Sequence, residues 1–439
     1  MAASYRRYTP DQELLLPPSL HDWLPEGHLA YFIADVAGQM DLWEFHERYE
    51  QGGPRNQPFD PGMMVRVLLY AYATGTFSSR RIARKLEEDV AYRVLAAGNF
   101  PAHRTIAEFR QQNLQAFEKL FVQVVRVARG AGAKRLGMLA VDGTKLRANA
   151  SKHKAMSYGR MREKEVELEA AIAALMARAA AQDAAEDREH GAENRGDELP
   201  EELRRREQRL KAIRAAKARL EARQAEADGK QGRTPGDGRK GKGRKSFARA
   251  YGVPAGKAQD NFTDPESRIM KTGEGFQQCY NAQAAVEAGS QIIVAAELNN
   301  CAADSGQLLP VVAAARAATG RKPQAVLADA GYRAEANFSA LAKQRIPAYV
   351  ALGREGKTPA HAASPPQPAV ARMAARMATA AGQAHYRRRK AIVEPVFGWI
   401  KHALGFRRFS LRGENNARSE WRLICTAVNL RRMHRIQHA

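Results

Sequence analysis

Two short apolar runs that each close on an acid constrain this chain more than any other feature. Leu136 to Asp142 leads into Gly143-Thr144, and Ala325 to Asp329 leads into Ala330-Gly331. Runs of this length and character read as buried strands with a carboxylate at the end. Gln277 to Val286 and Gln291 to Leu298, turning at Ala288 to Ser290, predict an antiparallel hairpin, and Ile346 to Val350 a further strand. Leu308, Val311, Val312 and Ala315 mark one helix and Ala334 to Lys343 another. The order strand, hairpin, helix, strand, helix, strand is that of an α/β sheet.

The sheet is expected to be interrupted. Ser151 to Arg249 is rich in Ala, Glu, Lys and Arg, with apolar spacing at Leu168, Ile172, Leu175 and again at Leu203, Leu210, Ile213, Leu220. That pattern predicts a helical hairpin turning near Gly191 to Pro200. From Arg204 to Arg249 there are 17 basic residues against five acidic ones. Gly229 to Lys245 has almost nothing to bury and reads as a basic linker. The insertion is expected to contact DNA or a partner subunit.

Before the first strand, Leu29 to about Arg129 is helical in pattern, with Met64, Val67, Leu68 and Phe117, Leu120, Phe121, Val124 at turn spacing. Ser78 to Leu86, carrying Arg80, Arg81, Arg84 and Lys85, and Pro101 to Arg110 read as two short helices around a Gly-containing turn. This fits a helix-turn-helix-like DNA reader and equally an all-helical packing unit with a solvated basic face. After the last strand come the Pro/Gly-rich stretch Leu352 to Pro368, a helix over Ala391 to Leu404 and a closing helix over Trp421 to Met433.

Charge narrows the partners. With 70 Lys plus Arg against 47 Asp plus Glu the net charge is +23 over 439 residues, which favours a polyanion, nucleic acid first. A membrane surface is disfavoured because the basic residues are spread over several segments. No run of about 18 apolar residues offers a transmembrane helix. Leu14 to Leu16, after Arg6 and Arg7, is too short for a signal-peptide core. Cys279, Cys301 and Cys425 lack metal-ligand spacing and read as reduced, structural residues suited to a cytosol. The length suggests two or three units.

The chemistry is expected from Asp142, Asp329 and Glu394. Two strand-end acids and one on a late helix are what a two-metal phosphoryl-transfer site needs, since hard Mg²⁺ ions about 3.5–4 Å apart take carboxylate oxygens. Singly, each acid has an ordinary reading: Asp142 and Asp329 as turn formers, Glu394 as a helix cap. Gly236 to Gly243 imitates a nucleotide-binding loop, but it follows no strand and lacks the Ser or Thr that would hold Mg²⁺. The eleven histidines show no ligand pair, and no nucleophile elbow marks a serine hydrolase.

Together the acids carry a resemblance. Val141-Asp142-Gly143-Thr144, Ala328-Asp329-Ala330-Gly331-Tyr332 and Val393-Glu394-Pro395-Val396-Phe397-Gly398-Trp399-Ile400-Lys401 resemble the three acid motifs of the DDE-type transposases of bacterial insertion sequences, in the group of the insertion-sequence five and eleven-eighty-two types. Tyr280-Asn281-Ala282-Gln283 and Asp304 sit where that group has such residues. Tyr386, Arg389, Glu394 and Lys401 match the family's third motif, except that four residues instead of three separate Arg389 from Glu394. Lys390 stands at the strict spacing as the alternative.

The resemblance covers nearly the whole chain. It implies a ribonuclease-H-like catalytic domain, α/β in class, over 131–150 and 250–439. A basic helical insertion over 151–249 would interrupt it, and an all-α DNA-binding domain over 1–130 would precede it. The implied activity is metal-dependent cleavage at element ends followed by strand transfer, with two Mg²⁺ ions, or Mn²⁺ in their place, on Asp142, Asp329 and Glu394. Tyr386, Arg389, Lys390 and Lys401, with Arg80, Arg81 and Arg84, are the expected DNA contacts. Lys401 lies seven residues, two helical turns, from Glu394 and so is expected on the same side. From Arg387 to Ala439 there are 13 basic residues against three acidic, suited to phosphate contact. The implied partners are terminal-repeat and target DNA and a second copy of the chain, in a nucleoid-associated cytoplasmic setting without a membrane. A nuclease that cuts without joining, and an inactive transposase-derived DNA-binding protein, are the alternatives.

Overall fold

The computed structural model describes residues 19–49, 57–130, 136–190, 201–236, 247–353 and 367–438. The expectations for Met1 to Pro18, for the turn at Gly191 to Pro200, and for parts of Gly229 to Lys245 and Leu352 to Pro368 lie outside the described residues.

Among the described residues the α-helices that precede the sheet are α1 Leu29–Gly38, α2 Trp43–His46, α3 Pro61–Ala73, α4 Ser79–Glu88, α5 Val90–Leu95, α6 His103–Gln112 and α7 Leu114–Gly130. Pro61 sits in the first turn of α3, where its missing N–H costs nothing, and Asp60 Oδ1 accepts from Met63 N at 2.6 Å. Apart from Arg66, every residue of α3 is buried, so this helix runs through the middle of the packing. One expectation is corrected here. The turn between the two basic-region helices holds a third helix, α5, started by Asp89, whose Oδ1 accepts from Ala91 N.

The sheet begins with β1 Met138–Arg147, followed by the short β2 Ala155–Ser157. The insertion is α8 Tyr158–His190 and α9 Glu201–Lys230. Then come β3 Gln259–Asn261, β4 Arg268–Thr272, β5 Gly275–Glu287, β6 Ile293–Asn299, α10 Leu308–Thr319, β7 Ala325–Ala328, α11 Glu335–Lys343 and β8 Ala348–Val350. Three helices close the chain: α12 Pro368–Ala378, α13 Ala380–Gly398 and α14 Glu414–Gln437. The strand order is β4-β5-β1-β7-β8, with β6 pairing farther along β5. β1, β7 and β8 are parallel, while β5 runs antiparallel to β1, β4 and β6.

One continuous cluster of buried residues joins the N-terminal helices, the sheet and α10 to α14. α14 packs against α3 and α7 on one side and β6 on the other, which fastens the helical half to the sheet. The insertion has a core of its own, in which Met161 and Leu168 meet Leu210, Ile213 and Leu220. At its base, Asp260 in β3 is fully buried and ion-paired with Arg219 at 2.6 Å and Arg223 at 2.5 Å. A buried carboxylate is tolerable only when so matched.

The late segments depart from their sequence patterns. α12 and the strand β4 carried no periodic signal, and α13 begins well before Ala391. α13 contains Pro395, which cannot donate to the carbonyl of Ala391. Gln291 Nε2, from the β5–β6 turn, donates to that carbonyl at 3.2 Å and replaces the missing bond. The helix then loosens into a π-helical turn over Trp399–Ala403. The seven residues from Glu394 to Lys401 are therefore not two regular α-turns.

Candidate active site

Register places the first two acids. In the parallel pair β1·β7, Val141 lies beside Ala328, so Asp142 and Asp329, one residue on, emerge side by side. β7 stops there. β1 does not: it continues to Arg147, paired with β5 from Asp142 opposite Ala284 to Arg147 opposite Cys279. Asp142 is thus a mid-strand residue and not the strand end its Asp-Gly-Thr context suggested. β5 supplies the antiparallel partner that lets β1 run on.

Asp142 Oδ1 accepts from Gly143 N at 2.8 Å, and Oδ2 accepts from Arg389 Nη1 at 2.9 Å. Burial still dominates. Desolvation raises its pKa from 3.8 to about 6, against the pull of Arg389 and the Gly143 N–H, and the charge of Asp329 adds to the rise. Asp329 caps the single helical turn Ala330–Tyr332, its Oδ1 accepting from Gly331 N at 2.8 Å. Glu394, on α13, is the outlying acid: its Oε1 is 3.8 Å from Arg389 Nη2 and its side chain is 55% exposed.

Arg389 therefore links the first and third acids. Its side chain is only 8% exposed, and the Tyr386 ring lies 5.9 Å from its guanidinium carbon. Burial works against this cation, but Asp142, Tyr386 and Asp329 outweigh it and its pKa is raised. Lys390 is an exposed neighbour, so Arg389, one residue off the strict family spacing, is the basic residue that reaches the acids. It is turned inward to a carboxylate. Lys401 is half-buried, and burial followed by the nearby Arg407 lowers its pKa, with Cys279 and Asp142 acting in the opposite sense. Arg80, Arg81 and Arg84 lie on the exposed side of α4, away from these contacts.

A second tier lies under the acids. Asp304 accepts from Lys145 Nζ at 3.1 Å, Asn281 Nδ2 at 2.6 Å and Gln283 Nε2 at 2.8 Å. The Tyr332 hydroxyl donates to Gln283 Oε1, and Trp421 Nε1 donates to the Gln283 carbonyl at 3.0 Å. Burial, then Asp304, Asp142 and Asp329, hold the Tyr332 phenol well above its usual range, so it stays a donor. Lys145 went unrecognised in the sequence. Its only signal was alternation along β1, which sets it on the edge facing Asn281. A Cβ on Gly331 would lie 3.0 Å from Asp329 Oδ1 and 3.4 Å from Asp304 Oδ2, so glycine keeps the space between these carboxylates open.

Among the described residues no three His, Cys, Asp or Glu side chains already stand together at metal-ligand spacing. The donors nonetheless suit a hard divalent cation. Asp142 and Asp329 present carboxylate oxygens side by side, their mutual repulsion calls for positive charge, and Gly331 leaves room beside them. Glu394 is tied to the pair only through Arg389.

Two neighbouring carboxylates on parallel strands, with a third acid on a helix laid across the same strands, define an acid-centred mixed α/β protein with a helical N-terminal region. Two family models match the chain: Transposase DDE domain over residues 227–430 and Transposase domain (DUF772) over residues 18–112. The chain belongs to the DDE transposases of insertion sequences, and the pairing of these two domains fits the insertion-sequence five and eleven-eighty-two grouping. The first match takes in Asp329 and Glu394 but begins after β1, so Asp142 is joined to Asp329 by sheet register and to Glu394 through Arg389. No curated protein and no solved structure matches. No helix among the described residues is long and apolar enough to cross a membrane.

Proposed function

We propose that this transposase cuts the ends of its element by metal-dependent hydrolysis and joins the freed 3′ hydroxyls to target DNA, using Asp142, Asp329 and Glu394. The observation that carries this is the side-by-side emergence of Asp142 and Asp329 from β1 and β7, with Arg389 running from Asp142 to Glu394. The catalytic unit is of ribonuclease-H-like type over 131–150 and 250–439, with the insertion at 151–249 and a DNA-reading helical unit over 1–130. A homodimer acts on both element ends, in association with the nucleoid.

Asp142, Asp329 and Glu394 would hold Mg²⁺, with Mn²⁺ as a substitute. When bound, the ions supply charge against the phosphate oxygens and lower the pKa of the attacking hydroxyl. The chain's own groups do the rest. Arg389 keeps Asp142 oriented and favours its ionised form. Asp304, Gln283 and Tyr332 form a hydrogen-bonded group next to Gly143 and Gly331. Lys401 binds a backbone phosphate next to the acids, and the exposed basic face of α4 with Arg80, Arg81 and Arg84 contacts the element end. In cleavage, water attacks phosphorus and the 3′ oxygen leaves. In joining, that 3′ hydroxyl attacks a target phosphodiester and displaces its 3′ oxygen.

The test is cleavage and strand transfer with Mg²⁺ on DNA carrying the element's ends, comparing wild type with Asp142→Ala, Asp329→Ala and Glu394→Ala. Loss of both reactions in each variant with DNA binding retained supports the assignment. Cutting without joining by wild type would identify a nuclease, DNA binding without either reaction an inactive descendant, and full activity in the variants would refute the acid assignment.

A further inference from the structure

Beyond Asp142 the strand β1 runs on for five residues with no β7 beside it, about 17 Å at the rise of an antiparallel strand. At its far end residues 407–409 pair with Arg147. Arg147 N donates to the Arg407 carbonyl at 3.2 Å, and Phe409 N donates to the Arg147 carbonyl at 2.8 Å. The bridge partner of Arg147 is Arg408; what brings the Arg407 guanidinium to Arg147 is a shared contact with Glu274. Arg407 Nε donates to the Lys401 carbonyl at 3.1 Å and Nη2 meets His402 Nδ1 at 3.0 Å, which fixes the guanidinium beside Lys401. A ledge thus runs from Lys401 through Arg407 to Arg147.

One carboxylate meets both guanidinium groups. Glu274, in the β4–β5 turn, lies 3.5 Å from Arg147 and 3.9 Å from Arg407, with side chains 41%, 47% and 58% exposed for Arg147, Arg407 and Glu274. Ion pairs this exposed and this long contribute little, roughly 0–1 kcal/mol. A phosphate diester, with oxygens in a geometry a guanidinium fork grips closely, competes readily for the same two cations.

We propose that Arg147, Arg407 and Lys401 form a binding site for the phosphates of the DNA strand running away from the catalytic acids, and that Glu274 is the internal anion this strand displaces. This rests on the transposase reading and adds to it the path of the flanking strand. Each phosphate contact contributes a slope near 0.9 in log affinity against log salt, so removing two flattens the slope by about 1.8. Between 50 and 200 mM salt, the affinity ratio of wild type to the double variant should then narrow about twelve-fold.

The experiment is fluorescence-anisotropy titration of the full-length protein with element-end duplex at several salt concentrations, without divalent metal. Arg147→Ala/Arg407→Ala should weaken binding and flatten the slope by that amount. Arg147→Lys/Arg407→Lys should keep most of the slope, and Glu274→Gln should tighten binding several-fold at low salt. An unchanged slope in the double alanine variant, with wild type binding normally, overturns the ledge and leaves the transposase reading standing. Weaker or unchanged binding by Glu274→Gln overturns the displaced-anion role. If wild type binds no DNA at any salt, both readings fall together.

Discussion

Replacing Asp142 by Asn should stabilise the protein while abolishing its chemistry. Burial, reinforced by Asp329, outweighs Arg389 and the Gly143 N–H and lifts the Asp142 pKa from 3.8 to about 6. At 1.36 kcal/mol per unit that rise corresponds to about 3 kcal/mol held against the folded state once the group is ionised. The side chain is 20% exposed, so solvent screening removes only part of it. The pH window follows from the direction of the shift. Below about pH 4 the carboxyl is protonated in both states and costs nothing. From about pH 4 to 6 the unfolded chain has lost the proton while the folded chain keeps it, so the penalty grows with pH; above about 6 it is complete. Asn mimics the neutral form and keeps one acceptor oxygen, for the Gly143 N–H or for Arg389 but not for both. In EDTA at pH 7.5, Asp142→Asn should melt higher by roughly 3–6 °C, and near pH 4 the two proteins should coincide. Added Mg²⁺ should raise the wild-type melting temperature and move the variant less. A variant no more stable than wild type at pH 7.5 would refute the reasoning, because it would mean that the Arg389 ion pair outweighs the desolvation of Asp142.

Two further substitutions probe the support of the site. Gly331→Ala drives a methyl group between the Asp329 and Asp304 carboxylates and should lower strand cleavage about 100-fold by displacing Asp329. Circular dichroism and DNA affinity should stay near wild type, and unchanged cleavage would show that the acids tolerate the shift. Glu420→Ala removes a buried carboxylate on α14 that accepts from Ser410 N at 2.9 Å, Leu411 N at 3.1 Å and Tyr72 OH at 3.4 Å. Arg110 donates to the same Tyr72 hydroxyl at 2.9 Å, so the loss leaves a buried cation short of its counter-charge. The cost should be about 3–5 kcal/mol in thermal or urea unfolding, and a change under 1 kcal/mol would place the charge balance elsewhere.

Strands and helices with a local signature were legible. Apolar runs marked β1, β5, β6, β7 and β8, and turn-spaced apolar residues marked α3, α7, α9 and α10. Elements whose existence depends on a neighbour were not. β4 forms because the outer half of β5 needs a partner, and the five-residue overrun of β1 exists because β5 continues where β7 ends. α13 survives Pro395 because Gln291, about a hundred residues earlier, takes up the freed carbonyl. A periodicity argument confined to α13 has no access to that bond.

The sequence by itself determined which residue types were present for the chemistry, the strongly cationic balance that favours a polyanion, and the order of strand and helix signals, since each depends on composition or on residues close in the chain. Only the tertiary structure decided that Asp142 and Asp329 emerge together, that Arg389 in preference to Lys390 turns inward, and that Asp304 with Lys145, Asn281 and Gln283 underlies them. Those outcomes come from strand register and helix phase, set by packing between segments far apart in sequence.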